Sequence, residues 1–147
     1  MRRTPLKSDT ILVADDEPYN LQWIIDWIES LKYKTVVAEN VDAAIHQLEA
    51  ARFRTVIADL SIPLLPPQLL LEGKNALYKT YPGLVVADYA RNYDHTARQV
   101  VVYSVHDDPL IRTLSEKLGF TYLLKGRPRI LKQELHAILQ YHDPRKK

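Results

Sequence analysis

Thr55-Val-Ile-Ala-Asp-Leu-Ser-Ile-Pro63 is the stretch from which the rest of the chain can be read. An apolar, β-branched run stops at a single carboxylate, Asp59, and a proline follows four residues later. A short run of this kind, without polar alternation, reads as a strand covered on both faces, hence a central strand of a parallel sheet. An acid at the carboxyl end of such a strand stands where open α/β sheets gather their ligands.

Upstream, Thr10-Ile-Leu-Val-Ala14 is a second apolar run, and it stops at Asp15-Asp16-Glu17. Pro18 then opens a helix, at a position where its missing N–H is not needed. Leu21, Ile24, Ile25, Ile28 and Leu31 recur at helical spacing and form one apolar stripe, flanked by Trp23 and Trp27 as packing residues. Thr35-Val-Val-Ala38 is a further short strand. Asn40 or Asp42 can cap the next helix, whose face is Ala44, Ile45, Leu48 and Ala51, with His46 off that face and solvated.

Downstream, Gln99-Val-Val-Val-Tyr103 is a strand ending at Ser104, and Phe120-Thr-Tyr-Leu-Leu124 is one ending at Lys125. Between them Pro109 starts a helix with Leu110, Ile111, Leu114 and Leu118 apolar and Gly119 closing it. A last helix from about Arg129 carries Ile130, Leu131, Leu135, Ile138 and Leu139, with Pro144 beyond its end. Strands alternate with helices, which predicts an α/β fold: a doubly wound, five-stranded parallel sheet with helices on both faces.

The irregular part is the connection after Pro63. Leu64-Leu-Pro-Pro-Gln-Leu-Leu-Leu71 is apolar and broken by proline, and Glu72 to Tyr81 has room for one short helix. Gly83 precedes Leu84-Val-Val-Ala-Asp-Tyr-Ala90, read as the helix between the third and fourth strands. A connection this long carries its own structure or a function. Its leucines are many for a surface link and are expected to pack on the domain or on a partner.

The totals limit the function classes. With 147 residues, 46% hydrophobic and 26% charged, the chain suits one domain with a substantial core. A net charge of +2 implies no strong pull toward nucleic acid or a membrane surface, and Arg2, Arg3, Arg145, Lys146 and Lys147 read as solvated ends. The absence of cysteine removes disulfides and thiolate metal sites. Without an apolar leader or a window of about 18 apolar residues, the expectation is a soluble, cytoplasmic protein.

The chemistry lies at the strand ends: Asp15 and Asp16, Asp59, Ser104, Lys125. In a parallel sheet these positions fall along one edge. Three clustered carboxylates repel one another, and a hard divalent cation such as Mg²⁺, which takes oxygen ligands and shares them with a phosphoryl group, relieves that repulsion. Lys125 adds a compact positive charge and Ser104 a hydroxyl for a phosphoryl oxygen. Asp59 then reads as the nucleophile of an acyl phosphate.

This pattern resembles the receiver domain of two-component response regulators, over roughly residues 9–140. In that family an acidic pair follows the first strand, matched by Asp15 and Asp16. A phosphoacceptor aspartate ends the third strand with proline four residues on, matched by Asp59 and Pro63. A hydroxyl residue ends the fourth and a lysine the fifth, matched by Ser104 and Lys125. The resemblance implies strand order 2-1-3-4-5. It also implies Asp16, Asp59 and the Ser61 carbonyl as metal ligands with Asp15 in support, and Tyr122 as an aromatic switch residue.

Three features depart from the family. The segment at about 64–82 is an insertion between the third strand and the next helix, placed to act as a lid or docking surface. Val105 stands where a small residue is usual, so that Val105 and His106 set access to the site. Gly126-Arg-Pro128 intervenes where a proline directly follows the lysine. Twenty-two residues follow Lys125, with no helix-turn-helix among them, so output is expected through a partner protein, and a homodimer is compatible.

The reading is thus a single-domain response regulator or phosphorelay protein, not an enzyme in the metabolic sense. Its phosphoryl donor is expected to be a histidine kinase or a histidine phosphotransfer protein. A receiver-like binding module that signals without phosphorylation is the alternative. A phosphohydrolase of the haloacid-dehalogenase type is disfavoured, because Ser61 stands where those enzymes carry a second aspartate.

Overall fold

The computed structural model describes residues 5–63, 76–93, 95 and 99–140, without side chains at 18–21. The basic ends, Pro144, the Leu64–Leu71 run and the Leu21 side chain therefore lie outside what is described. Elements follow in the order β1 (Leu6–Ala14), α1 (Pro18–Ser30), β2 (Lys34–Ala38), α2 (Val41–Ala50), β3 (Arg52–Asp59) and α3 (Ala76–Thr80). Then come α4 (Gly83–Asn92), β4 (Val100–Ser104), α5 (Pro109–Leu118), β5 (Thr121–Leu124) and α6 (Pro128–Gln140). The strands form one five-stranded sheet in the order β2-β1-β3-β4-β5, and each pairing is parallel.

Both faces are covered, which explains why the central strands read as unbroken apolar runs. Period-two alternation sends Leu12, Val56, Ala58, Val100 and Val102 toward α2, α4 and α5, in the larger core cluster. Ile11, Val13, Ile57, Val101 and Tyr103 face α1 and α6, where Ile24, Ile28, Leu131 and Leu135 meet them. Trp23 and Trp27 pack, half-buried, at the margin of this second cluster. Among the described residues no helix is long and apolar enough to cross a membrane.

Local chemistry sets the helix boundaries. The Asn40 side chain accepts from the Ala43 N–H at 2.8 Å and caps α2. Asp108 caps α5 by accepting from the Leu110 N–H at 2.9 Å, with Pro109 in the first turn. Gly119 ends that helix at φ 85°, a left-handed conformation that glycine adopts without a Cβ penalty.

Several boundaries differ from the sequence reading. β1 begins at Leu6 and β3 at Arg52, because Leu6 pairs with Arg52 and Lys7 with Phe53 through main-chain bonds that side-chain polarity does not report. The register shifts between Lys7 and Ile11 before the apolar run begins. β4 starts at Val100: Gln99 is buried and its side-chain amide donates to the Arg54 carbonyl at 2.6 Å. Of the short helix expected within Glu72 to Tyr81, Ala76–Thr80 is helical, with Tyr78 buried in the larger core, and residues 72–75 lie outside the described residues. Leu110 and Ile130 were read as apolar-face residues, yet they are 63% and 47% exposed; each lies one position off its buried stripe, beside Ile111 and Leu131.

Gly83 joins the long connection back to the sheet. A Cβ there would sit 2.1 Å from the Asp59 carbonyl oxygen, and the Gly83 N–H donates to the Leu60 carbonyl at 3.0 Å. The start of α4 is therefore pressed against the end of β3, an approach that only a residue without a side chain permits.

Candidate functional site

The sheet register brings the predicted strand ends level. Ala14 pairs with Ala58, Asp59 with Tyr103 and Ser104 with Leu124, so Asp15, Asp59, Ser104 and Lys125 line one edge. Asp15, Asp16 and Asp59 place carboxylate oxygens within 4.8 Å of one another. Asp15 and Asp59 are buried, while Asp16 is exposed. Lys125 extends between the buried pair, its Nζ 3.3 Å from Asp15 Oδ2 and 3.3 Å from Asp59 Oδ2.

The loop after Asp59 is fastened on all sides. The Leu60 N–H donates to the Tyr103 carbonyl at 3.0 Å, the Ile62 N–H to the Asp59 carbonyl at 3.2 Å, and the Val41 N–H to the Pro63 carbonyl at 2.9 Å. The Ser61 N–H donates to Asp59 Oδ1 at 3.2 Å. Burial, first of all, raises the Asp59 carboxyl above its ordinary pKa; Lys125 opposes that shift and the Asp15 charge adds to it.

The donor set fits Mg²⁺. All three carboxylates are hard oxygen ligands, one of them faces solvent, and no imidazole or sulfur competes among the clustered residues. Lys125 provides internal counter-charge to two of them.

The remaining predicted residues lie at the end of β4, on the loop between β4 and α5, and on β5. Ser104 is buried and its Oγ accepts from the His106 N–H at 3.1 Å. Val105 is 62% exposed and His106 is exposed beside it. Tyr122 donates its hydroxyl to the His106 carbonyl and accepts from the Asp108 N–H at 3.2 Å. The Arg112 guanidinium lies 5.2 Å from the Tyr122 ring centroid.

Two participants were not singled out from the sequence. The first is Tyr103, read only as the last residue of an apolar strand. Its hydroxyl donates to Asp15 Oδ2, and Lys125 Nζ lies 4.5 Å from its ring centroid. Burial, reinforced by the Asp15 charge, holds this phenol far above its usual pKa, so it serves as a donor. The second is Tyr81, at the end of the long connection. Its hydroxyl donates to Asp108 Oδ2 at 2.8 Å and thereby touches the residue that caps α5. The only sequence signal for either was a hydroxyl-bearing aromatic next to a segment already suspected of function.

No protein-family model and no curated protein matches the sequence. Solved structures do. The BeF3-activated N-terminal receiver domain of RstA from Klebsiella pneumoniae is 20% identical, with a TM-score of 0.67 over 90% of this chain and 99% of that one. The chemotaxis protein CheY4 of Vibrio cholerae is 19% identical, with a TM-score of 0.66 over 88% of this chain and 97% of that one. The receiver domain of the sensor histidine kinase PA1611 from Pseudomonas aeruginosa, solved with magnesium in its active-site cleft, is 18% identical. Its TM-score is 0.62, covering 88% of this chain and 97% of that one. With its parallel sheet in the order 2-1-3-4-5 and its aspartates at the carboxyl edge, this chain has the receiver-domain fold of two-component response regulators.

Proposed function

We propose that the protein is a receiver that accepts a phosphoryl group on Asp59 and signals through a partner protein. The observation that carries this reading is Lys125 standing 3.3 Å from both Asp15 and Asp59, with the Asp16 carboxylate beside them. An Asp59 oxygen attacks the phosphorus of a phosphohistidine on a kinase or phosphotransfer protein. The new P–O bond forms as the P–N bond breaks, and the bonding pair returns to the imidazole nitrogen. Asp59 is held for this by the Ser61 N–H, and Lys125 is placed to pair with the phosphoryl charge. The Ser104 hydroxyl accepts from the His106 N–H and retains its own proton for a phosphoryl oxygen.

Asp16 and Asp59 would hold Mg²⁺, together with the Ser61 carbonyl and with Asp15 in support; the ion supplies charge neutralisation at the phosphoryl oxygens. Once Asp59 carries the group, Ser104 and Tyr122 shift together, and Val105 and His106 govern access from solvent. Output passes through the face formed by α5, β5 and α6. Exposed Leu110 and Ile130, and a groove lined by Arg112, Tyr122, Arg127 and Ile130, support that choice. The 64–82 segment is an insertion within one cytoplasmic domain, and the partner is a protein or a second copy.

Acetyl phosphate with Mg²⁺ tests the reading by intact mass. One phosphoryl adduct on the wild type and none on Asp59→Asn supports it. A folded wild type that gains no adduct overturns it in favour of a phosphorylation-independent module.

A further inference from the structure

Asp15 is the most completely bonded acid of the cluster. Its Oδ1 accepts from the Glu17 N–H at 2.9 Å, and its Oδ2 accepts from the Tyr103 hydroxyl and from Lys125 Nζ at 3.3 Å. The side chain has no solvent exposure. Tyr103 belongs to the core on the α1 and α6 side, and its ring also lies against the Lys125 ammonium. One neutral side chain therefore touches both partners whose charges decide how this site treats a cation.

We propose that Tyr103 is a positioning residue: its hydroxyl satisfies Asp15, so that Lys125 stays shared with Asp59 and Mg²⁺ is held loosely. This rests on the phosphoacceptor reading above. A carboxylate removed from water must have its charge balanced by neighbouring donors, and electrostatic interactions strengthen where water is excluded. Here the balance comes from one N–H, one phenolic O–H and a lysine that Asp59 also uses. Without the phenol, cations alone must make up the difference. Lys125 is then drawn toward Asp15 and away from the position where it meets a phosphoryl group, and Asp15 attracts Mg²⁺ more strongly. The residues of strand β4 before Tyr103 are valines, which offer no such donor.

Tyr103→Phe keeps the buried ring and removes only the hydroxyl. Mg²⁺ is titrated calorimetrically into the full chain, wild type and variant, at matched pH and ionic strength. The expected result is an Mg²⁺ dissociation constant about tenfold lower in the variant, the order of one hydrogen bond to a charged group. Adduct formation from acetyl phosphate should slow in the same protein. A tyrosine with a purely structural role would lower the melting temperature and leave Mg²⁺ affinity unchanged or weaker. Either of those affinities, or no measurable Mg²⁺ binding in both proteins, overturns the proposal. Should Tyr103→Phe not melt cooperatively, 3-fluorotyrosine installed at position 103 strengthens the donor in nearly the same shape. It is expected to weaken Mg²⁺ binding, and equal or tighter binding overturns the proposal. Tighter Mg²⁺ binding in Tyr103→Phe with no adduct on either protein would leave the positioning role intact and remove the phosphoacceptor reading.

Discussion

The carboxyl edge of the sheet has a floor and a rim, and they are built differently. The floor comprises Asp15, Asp59, Tyr103 and Lys125, all within the sheet or one residue beyond it, and Asp15, Asp59 and Tyr103 are at most 3% exposed. Backbone bonds from Leu60, Ile62 and Gly83 tie it to its neighbours. The rim runs from Val105 to Asp108 and on to Tyr122 and Tyr81. It is half-buried or exposed, and the Tyr122 and Tyr81 hydroxyls tie its loop with two hydrogen bonds and one, respectively. Close-packed regions transmit a perturbation with little local adjustment, whereas a loosely tied loop has alternative arrangements. A charge added at Asp59 is therefore expected to be relieved in the rim, with the floor acting as a fixed reference.

Breaking the floor should have the largest consequence. Gly83→Ala would place a methyl group 2.1 Å from the Asp59 carbonyl oxygen, and backbone rather than a flexible side chain must yield. The expected loss is about 3 kcal/mol, or a fall in the melting midpoint of roughly 10 °C, read by thermal unfolding. Loss of that stability should also disturb Asp59 itself, so adduct formation falls with it.

The floor's charge can be sharpened without breaking it. Mg²⁺ at ten times its dissociation constant should stabilise the wild type by about 1.4 kcal/mol, and a chelator should reverse the gain. In chelator, the pH dependence follows from Asp59. Its folded pKa lies above the ordinary 3.8, chiefly through burial, so the folded protein retains a proton that the unfolded chain has released. Stability from this group is present at low pH and is lost as pH rises from about 3.8 through the folded value. Asp59→Asn is accordingly expected to melt above the wild type at neutral pH, with the difference closing toward pH 3.8. A constant difference across that range would contradict the assignment.

The rim should yield more gently. Tyr81→Phe removes the bond to Asp108 and is expected to lower stability by about 1 kcal/mol, measured by denaturant unfolding. Its informative effect is on exchange: amide protons of residues 105–110 should lose protection while those of β3 do not. Loss of protection in both regions would erase the distinction between floor and rim.

The sequence exposed the floor better than the rim, for a physical reason. Carboxylates that terminate apolar runs stand out, because burial of the run and solvation of the acid make opposite demands at adjacent residues. That contrast located Asp15, Asp59 and Lys125, and the alternation of strands with helices implied the sheet that aligns them. Tyr103 escaped notice because a tyrosine in a strand satisfies the apolar pattern. The reach of its hydroxyl to a residue 88 positions upstream exists only in the folded chain. Tyr81 and Asp108 are likewise separated by 27 residues and joined by one bond. The polar start of β1 was invisible because its pairing with β3 is made by backbone groups, and Leu110 and Ile130 misled because apolarity alone does not fix a helix face.

The central claim is that a phosphoryl group on Asp59 moves the rim against a fixed floor. Amide hydrogen exchange of the full chain, with and without beryllofluoride and Mg²⁺ as a stand-in for that group, tests it most directly. The account predicts altered protection in residues 104–112 and 121–124, with β1 and the helices α1 and α2 unchanged. No change at those loops in a protein that binds beryllofluoride, or an equal change throughout the chain, would contradict it.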